Sequence, residues 1–338
     1  MDGKDGGKHM IEGKDSSPVM RRNALPFLGV LAQSVSHTGP SAAIALFVGL
    51  VVAVADASTW LTFALSTVVM LAVAYCISHF TRRLASTSDL YGFAAKGGGP
   101  GPGILTAWAQ LLFGIVTAAG AVIIFGIYFG QLMNDDFGIS QSRWVILIWF
   151  ALGTFGAGWL TYRDVRLSAR FMFYVEVVSL ALIFILLAVT VAKHIGSIFD
   201  STQLGLHGFS PHKVLIGAVL VIFAFSGFES AAIFGQEARD PTRTITRAIL
   251  WSVGICGLLF VLAAYIMVLG FKGSKLSLAT SANPLLDLSK IDGVSFLHYP
   301  VLLGVSISIF SVAVAVTNST SRLIFTLGRD SCRRSRLA

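Results

Sequence analysis

The sequence predicts an all-α integral membrane protein of about eight transmembrane helices, and three observations support this. Of its 338 residues, 55% are hydrophobic and only 12% are charged, whereas soluble domains carry about twice that charge. The mean hydropathy is +0.77. The apolar residues form blocks of about 20, the length that a helix needs to cross a hydrocarbon core of about 30 Å. A soluble fold with so many apolar blocks would expose too much apolar surface.

The blocks divide the chain into two tails and one membrane domain. Residues 1–23 are rich in Gly, Lys, Asp and Ser and contain no apolar run. They therefore lack the apolar core of a signal peptide and predict a disordered cytosolic tail. A transmembrane domain is expected over 24–330 and a basic cytosolic tail over 331–338. The predicted spans are 25–54, 58–80, 104–133, 143–161, 168–192, 213–236, 247–271 and 299–328.

The lysines and arginines are distributed unequally between alternate loops. If the N-terminus is cytoplasmic, 19 of them lie on the cytoplasmic side and six on the outside. This split follows the positive-inside rule. Membrane topology thus explains the net charge of +8, and no soluble basic domain is present that would bind nucleic acid. Because no targeting segment is apparent, we expect the plasma membrane.

The first predicted span is too long for one straight helix. At 1.5 Å per residue it would measure about 45 Å, against a core of about 30 Å. Residues 34–40 within it read SVSHTGP, which is polar at mid-membrane depth. Because Pro40 has no N–H group and disfavours a helical Gly39, we expect two half-helices, 24–35 and 40–54, joined by unwound chain.

The sixth span contains a similar interruption, SGFES at residues 226–230. Non-helical backbone at membrane depth is tolerated only where it is buried in protein or lines a cavity. Interruptions in helices one and six, five helices apart, indicate an inverted-repeat transporter with a binding site near the midplane. The alternative is that Pro40 and Gly227 only kink their helices.

Four stretches resemble the amino acid–polyamine–organocation permease family. The most specific is GFESAA, beginning at Gly227, followed by QEARDPTRTI at 236–245. The resemblance runs from about residue 24 to 330 and implies a permease-type inverted-repeat helical bundle with broken helices one and six. The other three stretches are the broken first helix, the Gly-rich segment 91–100 followed by Trp108, and residues 318–330 at the end of the eighth span.

The resemblance implies a secondary transporter of amino acids or related amines that works by alternating access, and no enzyme activity. The family has two five-helix repeats, usually followed by two further helices. This sequence ends after the eighth span, so we expect a C-terminally incomplete permease. The alternative is a truncated, non-transporting membrane protein that keeps part of the binding site. A channel is disfavoured, because no helix carries a repeated polar face.

The two breaks predict a site for a zwitterion. The half-helix that begins near Pro40 presents free N–H groups and the positive end of its dipole, which suit a carboxylate. The half-helix that ends near Phe225 presents carbonyl groups, which suit an ammonium. By the resemblance, Ser36, Thr38 and Gly39 meet the carboxylate, and His37 belongs to the lining. The resemblance also implies that Ala224, Phe225 and Gly227 meet the amine through backbone carbonyls. Phe223 or Phe228, with Phe223 preferred, closes over the side chain as an aromatic gate.

Two carboxylates lie at membrane depth, where charge is costly and indicates function. Glu229 either caps the backbone at the sixth-helix break or takes part in ion coupling. Glu176, in the middle of helix five, is either a proton relay or a hydrogen-bond partner between helices. These carboxylates favour a proton as the coupling ion, or exchange, over sodium. The three scattered cysteines have no metal-ligand spacing, and no P-loop is present, so we expect no metal and no cofactor.

Overall fold

The computed structural model describes residues 26–83, 89–163, 165–234, 238 and 240–335. The predicted tail 1–23 and the last three residues of the basic tail lie outside this part of the chain. The described residues form an all-α membrane fold. Its helices are α1 Phe27–Thr38, α2 Pro40–Ala55, α3 Thr59–Arg83, α4 Asp89–Gly98, α5 Pro100–Phe137, α6 Arg143–Arg163, α7 Val165–Lys193, α8 Ser201–Leu204, α9 Pro211–Ala224, α10 Pro241–Phe271, α11 Pro284–Ile291 and α12 His298–Ser335.

Seven helical stretches in the described part of the chain are long and apolar enough to cross a membrane. The first of them, Phe27–Arg83, contains 57 residues. As one straight helix it would measure roughly 85 Å, far more than one crossing requires. A 3₁₀ turn at Asp56–Ser58, where Asp56 has a φ of 49°, divides it. The seven stretches therefore overlap all eight predicted spans.

The outer surface of the bundle is apolar. Along α6, the side chains of Trp144, Phe155 and Tyr162 are 75%, 77% and 87% exposed. Such a surface is unfavourable in water and suits the hydrocarbon of a bilayer. Because a helix satisfies its backbone hydrogen bonds within itself, it can present this face to lipid without an unpaired polar group.

The interior brings long helices close together through small residues. Gly257 of α10 packs on α3, where an added Cβ would lie 2.2 Å from the Thr67 side chain. Gly114 of α5 packs on α12, where an added Cβ would lie 2.1 Å from the Thr320 hydroxyl. Close approach of this kind stabilises helix pairs in membranes, where burial from water does not drive association.

The first break is shorter than the sequence suggested. The expected unwound segment from residue 36 to residue 39 is reduced to Gly39, because α1 continues to Thr38. The Gly39 N–H donates to the Val35 carbonyl at 3.0 Å, which caps α1. Gly39 is left-handed, with φ and ψ both 59°, as is common at a helix C-terminus. Pro40 then begins α2 at a position that needs no N–H donor.

The second break is longer. Helix α9 ends at Ala224, and a 3₁₀ helix, Phe228–Phe234, follows the turn at Gly227. Gly227 has a φ of 104°, which other residues rarely adopt. The predicted span 213–236 is thus a short α-helix followed by 3₁₀ structure over its described residues.

Candidate functional site

The two breaks lie in direct contact with each other. A Cβ added to Gly227 would lie 2.9 Å from both the carbonyl carbon and the carbonyl oxygen of His37. On the same side, the Ser34 hydroxyl donates to the Phe228 carbonyl at 2.7 Å. This places the end of α1 against the non-helical backbone that follows α9, so that backbone is buried in protein, as a membrane interior requires.

A cavity of about 280 Å³ opens where the breaks meet. Its volume is near the lower end of small-molecule sites, roughly 300–1,000 Å³. It lies between the α1–α2 break, α5, the end of α9 and α12. Six of the nine predicted binding residues line it, namely His37, Thr38, Gly39, Phe223, Ala224 and Gly227.

The other three predicted binding residues lie outside the lining. Ser36 and Phe225 are fully buried, and the Phe225 ring packs on Phe260 with centroids 5.1 Å apart. Phe228 is 5% exposed and lies in the main core cluster. The two phenylalanine rings pack behind the cavity walls, which is the ordinary role of buried aromatic residues.

Two walls of the cavity come from helices that the sequence did not assign to the site. Phe113, Thr117 and Gly120 of α5 and Val312 of α12 all contribute to the lining. Residues 113, 117 and 120 lie on one helix face, because their spacing is four and three. Helix α5 has apolar residues on every side, so this spacing alone does not distinguish a lining face from a packing face. Ser226 of the second break also lines the cavity.

Aromatic rings form one side of the cavity. The Phe223 ring lies 5.8 Å from that of Phe47 and 6.0 Å from that of Phe113, both measured between centroids. Phe223 is 47% exposed, so its ring is less constrained than those in the core. Tilted and edge-to-face contacts at these distances are favourable, and they hold Phe223 at the mouth of the second break.

Glu176 caps α2 from a different helix. Its Oε1 accepts the Ser41 N–H at 2.7 Å, and its Oε2 accepts the Ser308 hydroxyl at 2.6 Å. The side chain is only 1% exposed. A carboxylate at a helix N-terminus interacts favourably with the helix dipole. Glu176 therefore ties α7 to α2 and α12, and it lies behind the first break, outside the cavity lining.

Glu229 accepts a hydrogen bond from the backbone of the second break, two residues earlier in the chain. Its Oε2 accepts the Gly227 N–H at 3.1 Å, which is the backbone-capping arrangement considered for it. Turns after α9 use the carbonyls of Phe223 and Phe225 as acceptors. These turns do not use the carbonyls of Ala224 and Ser226, which are both lining residues.

Comparison with protein families decides the class. The family model described as amino acid permease matches residues 34–333. This chain belongs to the amino acid permease family. The match includes both breaks and every residue that lines the cavity.

Curated relatives of this permease are named as transporters. A low-affinity putrescine importer of Escherichia coli is 23% identical over 322 residues, which cover 94% of this chain and 69% of the relative. An uncharacterized transporter of Mycobacterium tuberculosis is 26% identical, with 95% and 69% covered. A methylthioribose transporter of Bacillus subtilis is 19% identical, with 80% and 59% covered. The permease is thus a transporter of amino acids or amines and an integral, multi-pass membrane protein.

Proposed function

We propose that the permease moves an α-amino acid across the plasma membrane by alternating access, with a proton as the coupling ion. The observation that carries the proposal is the cavity at the contact between the two broken helices. Its lining combines the N-terminal turn of α2, the C-terminal end of α9 and an aromatic wall. These are the three chemistries that an α-carboxylate, an α-ammonium and a side chain require.

The carboxylate of the substrate would interact with the N-terminal turn of α2. Within that turn, Glu176 already holds the Ser41 N–H, while Ala42 and Ala43 line the cavity. Two carboxylates near one helix end repel each other, and protonating one removes the repulsion. A protonated Glu176 would therefore leave the dipole of α2 free to attract the substrate. This linkage would couple proton uptake to substrate binding.

The surroundings of Glu176 suit a proton-dependent switch. Ser41 of α2 and Ser308 of α12 donate to it. No Lys or Arg among the described residues forms an ion pair with Glu176. Loss of its charge would loosen the link between α2, α7 and α12 and so ease movement of the first broken helix against the rest of the bundle, which alternating access requires.

Transport is tested by uptake into proteoliposomes. We expect radiolabelled amino acids to enter faster when the outside is acidic, and Glu176→Gln to remove this pH dependence while leaving exchange. Binding in detergent without any uptake would instead support the non-transporting alternative. A pH profile unchanged in Glu176→Gln would exclude Glu176 as the coupling group.

Orientation is tested by labelling single cysteines in intact cells. The loop Gly138–Ser142 is expected outside and the end of α4 inside, according to the positive-inside rule. After replacement of the native cysteines, Ser140→Cys should react with an impermeant maleimide and Lys96→Cys should not. The reverse pattern would overturn a cytoplasmic N-terminus.

A further inference from the structure

The cavity wall formed by α5 and the aromatic rings differs chemically from the two breaks. We propose that this wall is a side-chain pocket for amino acids with an uncharged, apolar side chain, and that Gly120 sets its size. The inference rests on the proposed function and names the substrate class of the same site.

Apart from the Thr117 hydroxyl, the wall offers apolar contact, and it carries no charge. Phe113, Val116 and Ile124 of α5 line the cavity together with Ile309 and Val312 of α12. None of the described lining residues is Asp, Glu, Lys or Arg. An apolar substrate side chain buried here leaves water without losing a polar partner, which is favourable.

Both carboxylates at membrane depth are engaged elsewhere. Glu176 accepts hydrogen bonds from Ser41 and Ser308, and Glu229 accepts one from Gly227. Neither lines the cavity. A diamine or a lysine substrate would bring a second ammonium to a wall that holds no anion. An unpaired buried charge is strongly unfavourable, so this wall selects against a distal charge.

Gly120 leaves open space in the pocket. It lies in α5 and lines the cavity, and a Cβ added to it would meet no atom within 4 Å. A larger residue here would occupy volume that the substrate side chain needs, and its Cβ would meet no neighbouring atom. Gly158 of α6 is a matched control, because it is also helical with no atom within 4 Å of an added Cβ, yet it lies outside the cavity.

The test measures binding of four radiolabelled ligands to the purified chain in detergent. These are L-alanine, L-leucine, L-lysine and 1,4-diaminobutane. We expect L-lysine and 1,4-diaminobutane to bind at least about 100-fold more weakly than L-leucine, because each adds an unpaired charge. Gly120→Leu should weaken L-leucine binding by about 10-fold or more while L-alanine changes by less than about 3-fold, since pocket size discriminates by methylene groups. Gly158→Leu should change neither.

The outcomes separate the inference from the function on which it rests. Binding of L-lysine or 1,4-diaminobutane as tight as that of L-leucine would keep the amino acid or amine transporter and overturn the apolar substrate class. An equal loss of L-alanine and L-leucine in Gly120→Leu, or no loss of either, would overturn the role of Gly120. Failure of all four ligands to bind the unaltered chain would overturn both the inference and the proposed binding site.

Discussion

Both breaks leave backbone N–H groups free at membrane depth, and the acceptors for these groups come from different parts of the chain. At the first break, a single left-handed glycine separates two α-helices. The Ser41 N–H, which has no acceptor within α2, donates to Glu176 of a distant helix. At the second, the chain continues as 3₁₀ structure, and the Gly227 N–H is satisfied by Glu229 two residues later. The first break is therefore sensitive to the positions of other helices, whereas the second depends on its own sequence.

The largest expected difference in stability is between alanine substitutions of the two break glycines, Gly227 and Gly39. An added Cβ at Gly227 would meet the His37 backbone at 2.9 Å, whereas one at Gly39 would meet a side-chain methyl of Val312 at 2.4 Å, and a side chain shifts more readily than backbone. We expect Gly227→Ala to destabilise by roughly 3–5 kcal/mol and Gly39→Ala by roughly 1–3 kcal/mol. Thermal unfolding in detergent measures both. Gly254→Ala, with no atom within 4 Å, is the control, and a larger loss from Gly39→Ala would contradict the comparison.

The two carboxylates provide the next test. Glu176→Leu leaves two donors without an acceptor, the Ser41 N–H and the Ser308 hydroxyl, so we expect a loss of roughly 2–4 kcal/mol. Glu229→Leu leaves one, the Gly227 N–H, and should cost roughly 1–2 kcal/mol. Glutamine at either position keeps an acceptor and should recover part of the loss. Equal losses from the two leucine variants would show that long-range and local capping do not differ.

The hydrogen bond that joins the breaks has a smaller expected effect. Ser34→Ala removes the donor to the Phe228 carbonyl and should cost about 1 kcal/mol. Ser36→Ala is a matched control two residues away. Its hydroxyl is equally buried and has no hydrogen-bond partner among the described residues, so the expected change is near zero. Comparable losses in unfolding temperature would remove the assigned link between α1 and the second break.

The smallest expected effect on stability comes from an ion pair outside the membrane-spanning segments. Burial of Asp200 acts to raise its pKa, but the Lys272 ammonium at 2.5 Å and the Thr202 amide hold the pKa of Asp200 below its usual value. Because the folded pKa is depressed, the pair stabilises the fold above the unfolded pKa of about 3.9 and loses this as the pH falls through the folded pKa.

The expected size of that contribution is below about 1 kcal/mol, because Lys272 is half-exposed and solvent screens the pair. Lys272→Met should therefore flatten the acid-side loss of thermal stability between pH 5 and the lower pKa, as measured by unfolding at a series of pH values. An acid-side loss that is the same with and without Lys272 would exclude the pair as its source. The breaks, by contrast, should respond to substitution at any pH in this range.

Both interruptions were predictable from the sequence, because they are polar or glycine-rich stretches in apolar blocks, and proline and glycine act locally. The extent of the first interruption was not predictable. Helix α1 reaches Thr38 because the Gly39 N–H donates to the Val35 carbonyl, and the composition of the segment does not indicate such a hydrogen bond. Glu229 could be assigned to its break, since its partner is two residues away. The capping of Ser41 by Glu176 could not, because 135 residues separate them.

The sequence alone determined the membrane class, the eight spans and the family resemblance, since hydropathy, charge asymmetry and motifs are properties of the chain order. It also named six of the residues that line the cavity. Only the tertiary structure placed α5 and α12 beside the breaks, buried Phe225 and Phe228 away from the cavity, and set Glu176 behind α2. The physical reason is that helix faces are chosen by packing between distant segments, and a helix with apolar residues on every side, such as α5, carries little local signal of which face lines a site.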